Sequence, residues 1–203
     1  MSEAIIGLVG VVLGGLLTSV KDYVAYSNKK ESDGCYAAVC IITTLDEYIQ
    51  KCLDVVADDG TTGDGRPAHR TEQGEEFCYP VIKTPLPPEF ASDINWRSID
   101  PQTMYRILSL PNTARETNRY IFASSEYSGP PGYDELFIAR KEGYSHLGLE
   151  ASDIVSQLRK QYKIPGNKKH FWKDDNDLKG IFTKELDKIK KRSERESKAL
   201  SIS

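Results

Sequence analysis

The chain has 203 residues, 39% hydrophobic and 28% charged, with a formal net charge of −3, which fits one domain with attachments or two small domains. That charge is polarised: residues 159–203 hold 14 Lys/Arg against 7 Asp/Glu, leaving −10 on residues 1–158, an asymmetry that concerns surface contacts rather than fold. Four cysteines with no CxxC pair give no support to a zinc ribbon or a thioredoxin-like motif and suit a reducing compartment.

Residues 4–20, AIIGLVGVVLGGLLTSV, carry no charged side chain. Only Ser2 and Glu3 precede them, and no small-x-small site follows, so a cleaved export signal is a poor fit. As a helix the run reaches ~26 Å, slightly short of a ~30 Å hydrocarbon core. Snorkelling of Lys21 and interfacial placement of Tyr23 and Tyr26 help to close that gap. The expectation is a single transmembrane helix. Lys21, Lys29 and Lys30 follow the run and no Lys or Arg precedes it, which puts the amino terminus outside a bacterial inner membrane and the rest in the cytoplasm. At 100° per residue Gly7, Gly10, Gly14 and Thr18 share one face, with a GxxxG at 10–14. Such a small-residue groove predicts helix–helix contact and a homo-oligomer.

Behind the polar NKKESDG comes CYAAVCIITTLDEYIQKCLDVVADDG. Cys35, Ala38, Ile42, Leu45, Ile49, Cys52 and Val56 alternate steps of three and four, the seam of an amphipathic helix that Gly60 caps. Asp33-Gly34 is a plausible break between this helix and the span. The same heptad register, running from Gly7 to Val56, also permits one long helix. Residues 59–92 read as a long loop, polar and Gly-rich at first and proline-rich from Pro80 on. Its DDGTTGDG lacks the alternation and the distal Glu that a calcium loop needs.

Asp100-Pro101 marks a helix start, with Asp100 as N-cap. The spacing predicts a helix over 101–110 ended by Pro111, and a second over 113–127. SGPPGY is a rigid corner. A long helix follows from Asp134 to about Tyr162, closed by Pro165-Gly166, and a last helix starts near Asp175. The expected fold class is therefore all-α: a membrane anchor with juxtamembrane helix over 1–30, then a cytosolic helical bundle over 31–203. Within the bundle lie the long loop and a basic C-terminal helix and tail over 176–203.

Nucleophile elbows, Walker loops, GxGxxG and HExxH are all missing from the sequence, so no cofactor and no enzymatic activity are expected. Glu142, His146 and Glu150 at i, i+4, i+8 could form a metal face, but a solvated charge network explains them as well. Trp96, Arg97, Tyr105, Arg106, Tyr127, Tyr133, Arg140 and Tyr144 cluster around the proline corners. Trp96, Arg97, Tyr105, Arg106, Tyr133 and Arg140 make up the candidate partner surface, since Tyr and Arg are favoured at hot spots. They serve equally as cover at the edge of a helical core. The basic tail interleaves acids and lacks stacking aromatics, which argues against nucleic acid and for attraction to an anionic bilayer.

At INWRSIDPQTMYRILSLPN and GPPGYDELFIARKEGYSHLGLEASDIVSQLRKQYKIP the sequence resembles a set of small, uncharacterised bacterial proteins that share an apolar N-terminus and a helix ending near an ADDG-like turn. The resemblance spans most of the chain and implies a bacterial origin, with no activity or catalytic residue to carry over. The functional expectation is a membrane-anchored interaction or scaffold protein that self-associates and holds an unknown protein partner. The alternatives are a membrane-disrupting effector, for example in phage defence, and a metal-dependent enzyme.

Overall fold

The computed structural model describes the backbone of residues 2–130, 132–166 and 175–200, and their side chains except at 2–18, 175–177 and 200. Four α-helices account for most of it: α1 (Ser2–Ala57), α2 (Pro101–Glu126), α3 (Asp134–Tyr162) and α4 (Asp175–Leu200). A two-stranded antiparallel hairpin, β1 (His69–Arg70) and β2 (Glu76–Phe77), and a 3-10 turn at Trp96–Ser98 interrupt the connection between α1 and α2.

Among the described residues no helix is long and apolar enough to cross a membrane. This corrects the transmembrane helix and the single-pass inner-membrane placement. The part of α1 whose side chains are described, from Ser19 on, is too charged to span. Lys21, Asp22, Lys29, Lys30 and Glu31 break it up far more often than a span of ~20 apolar residues tolerates. The apolar run at 4–20 is thus the leading end of one 56-residue helix and not a separate element. The side chains of Gly7, Gly10, Gly14 and Thr18, the expected contact face, lie outside the described ones.

The second half of α1 packs as its seam dictates. Ala38, Ile42, Leu45, Ile49, Cys52 and Val56 are buried, together with the flanking Ile41, Tyr48 and Val55. Opposite them lies α3, the central helix, which contacts α1, α2 and α4. Leu136, Ala139, Leu147, Ala151, Ile154, Val155 and Leu158 form its buried stripe. Small residues let α3 serve three neighbours. A Cβ at Gly143 would strike Thr117 of α2, and one at Gly148 would strike the ring of Phe182 of α4. Side-chain size at the contact sets how closely helix axes approach.

Gly34 is a third notch of this kind. The Tyr162 ring lies across it, and the Tyr162 hydroxyl donates to the Ser98 carbonyl at 3.2 Å. The expected break at Asp33-Gly34 is therefore a close approach inside a continuous helix.

Helix α2 differs from the expected pair, since it runs through Pro111. A proline there costs the hydrogen bond to the carbonyl four residues back and crowds it. Burial of Ile107 and Leu110 before it, and of Ala114 and Ile121 after it, holds both halves on α3. Arg106 adds bonds to Glu150 at 2.8 Å and to Gln157 at 2.9 Å.

The α2 cap forms as expected: Asp100 accepts from the Thr103 backbone N–H at 2.9 Å and from its hydroxyl at 2.9 Å. These donors favour the carboxylate and lower its pKa, the Thr103 N–H most. The stabilisation is complete above the unfolded value of ~3.9 and disappears as pH falls through the depressed folded value. Thermal melting is expected to show Asp100→Ala several degrees below wild type at neutral pH. The difference should shrink in acid, and Asp100→Asn, which keeps an acceptor, should be milder.

Candidate interaction surface

Helix propensity and burial part company along α1. Every residue from Ser19 to Ser32 is exposed, although the backbone is helical throughout. Val20 (60%), Tyr23 (73%), Val24 (49%) and Tyr26 (68%) present apolar surface to solvent. The first anchorage to the body comes where Asp33 accepts from Asn95 Nδ2 at 3.1 Å. One turn later the Tyr36 hydroxyl donates to Asp93 at 3.0 Å. That carboxylate, helped by Cys40, pushes the Tyr36 pKa up to about 12. The extension before Asp33 is thus a helix whose described side chains, from Ser19 to Ser32, are all exposed.

At its foot lies a groove of about 350 Å³ lined by Tyr26, Lys29, Lys30, Asp33, Asn95, Arg97 and Ser98. A second cleft, of about 390 Å³, opens between α3 and α4 with Phe137, Ile138 and Ile189 among its lining. The charges there largely pair off: Lys188 bonds Glu185 at 2.8 Å and Arg192 bonds Glu196 at 2.8 Å.

The expected aromatic–arginine surface is dispersed. Arg97 and Tyr105 are exposed. Trp96 instead packs edge-on against Phe90, with ring centroids 5.8 Å apart, and Arg106 is held by Glu150. Tyr127 is exposed, and Tyr144 is buried with its hydroxyl 2.7 Å from Asn118 Oδ1. Tyr133, at φ 51° ahead of α3, inserts between Phe77 and Tyr79, at 6.1 and 5.0 Å, and so docks the SGPPGY corner on the hairpin.

Arg140 is buried in a knot that sequence reasoning missed. Its Nη2 donates to Asp58 Oδ2 at 3.1 Å and to the Ile82 carbonyl at 2.5 Å. Asp58 accepts in addition from the backbone N–H groups of Gly60 (3.1 Å), Val81 (3.3 Å) and Ile82 (2.9 Å). Burial pulls the Arg140 pKa down, and the Asp58 charge opposes that shift. With side chains 6% and 3% exposed, this pair staples the proline-rich strap to the end of α1. The local DDG turn was the only signal in the sequence for it.

Glu142 and Glu150 are half-buried and His146 is exposed. Glu150 is engaged by Arg106, and among the described residues no group of three His, Cys, Asp or Glu could hold a metal ion. His170, ahead of Phe171-Trp172, lies outside the described residues. Compared with family models, with curated proteins and with solved structures, the chain matches none.

Proposed function

We propose that this chain is a non-enzymatic helical interaction module that self-associates through the leading part of α1. The supporting observation is the exposed helix at 19–32. Isolated helices are marginal in water and depend on packing of an apolar face, and this segment contains Val, Tyr, Ser and Asn, which are weak helix formers. Val20, Tyr23 and Val24 stand at i, i+3, i+4, one stripe on one side. Sequence continues that apolar character back to Ala4 without a charge. A second copy offers the same stripe, and two-fold pairing of identical faces closes without leaving an edge.

Sedimentation equilibrium tests this reading. The wild type is expected to be a dimer or larger. Val20→Glu/Val24→Glu or Gly10→Leu/Gly14→Leu should weaken association about tenfold or more. A monomeric wild type, or association unchanged in both double variants, would falsify it.

A further inference from the structure

We infer that the groove at the foot of the α1 extension binds the phosphate group of a small anionic ligand. Tyr26, Lys29, Lys30 and Asp33 lie at i, i+3, i+4, i+7 and so form one wall from a single face of α1, while Asn95, Arg97 and Ser98 form the facing wall. Among the described residues Lys29, Lys30 and Arg97 have no carboxylate partner, and what sets them apart is that all three line one groove.

Three unpaired cations around one cleft repel each other, and a dianion placed among them removes that repulsion. The concentration is notable within residues 1–158, whose net charge is −10. Asp33 is the one acid in the lining, and it is engaged by Asn95. Asp22, one turn beyond Tyr26, lies outside the lining. Arg supplies a planar fork for two phosphate oxygens, and the paired lysines act as point charges opposite it. The volume of about 350 Å³ sits at the lower end of the range for small-molecule sites.

Because the two walls belong to different elements, a bound phosphate would bridge the extension to the 3-10 turn and brace α1 where it leaves the body. This site does not depend on self-association. All three cations are exposed, so their replacement leaves the core intact.

The test is calorimetric titration of inorganic pyrophosphate into the full-length protein at low ionic strength, where screening is least. Saturable binding at one site per chain is expected. Arg97→Ala and Lys29→Ala/Lys30→Ala should each weaken it about tenfold or more, while Lys190→Ala/Lys191→Ala on α4 should not. Hydrogen exchange over 19–33 should slow on saturation in the wild type and not in Arg97→Ala. Absent binding overturns the inference, as does an affinity that Arg97→Ala leaves within about threefold of wild type. So does an equal loss in the α4 control, which would mark a diffuse charge effect.

Discussion

Replacing Asp58 with alanine is expected to destabilise the protein by about 3–5 kcal/mol. The substitution removes the carboxylate bonded to the buried Arg140 guanidinium, and it orphans three backbone N–H groups in the same step. Neither loss can be repaired by water where the side chains are 6% and 3% exposed. A typical domain has about 5–15 kcal/mol in total, so urea unfolding followed by circular dichroism should show a midpoint far below wild type. Arg140→Met is expected to be less damaging, because the three N–H donors still solvate the carboxylate. The double variant Asp58→Ala/Arg140→Met should be more stable than the sum of the singles, since no charge is left buried without a partner. An Asp58→Ala loss below about 1 kcal/mol would place the pair among ordinary surface ion pairs.

That knot marks where local reading stops. The seam from Cys35 to Val56 was legible because a 3.6-residue period is written in neighbouring residues, and the Asp100 cap because its signal spans four positions. Asp58 and Arg140 are 82 residues apart, and nothing near either says that it is buried. Arg140 and Tyr133 accordingly stood open between a partner surface and cover at the edge of the core; Arg140 is buried and Tyr133 is a peg between two rings. Pro111 misled for a related reason: its local cost is real, but burial on α3 outweighs it. Gly34 carries a third version of the problem. A glycine between Asp33 and Cys35 looks like a helix breaker, and only the distant Tyr162 shows it to be a notch. The candidate site was legible in part. Lys29, Lys30 and Arg97 are visible as charges, yet their convergence depends on the 3-10 turn lying against α1.

The docking of α4 gives the second large effect. Phe182 is 0% exposed, and its ring occupies the space where Gly148 has no side chain. Phe182→Ala is expected to cost about 3–5 kcal/mol, as transfer loss and cavity add. Gly148→Ala sets two effects against each other. Helix propensity favours alanine by about 1 kcal/mol, while the added methyl forces the ring from its slot and forfeits burial of about 1.5–3 kcal/mol. The second wins, because the ring is fully buried and has no solvent-facing direction in which to yield. Hydrogen exchange should then speed up along α4 well before α1 and α3, which also pack extensively on each other. Shrinking the ring separates this account from a general loss of helix stability. Gly148→Ala/Phe182→Leu should be more stable than the summed single costs by about 0.5–3 kcal/mol, the coupling expected of residues in contact. Strict additivity of the two changes would mean that the glycine is not there for the ring.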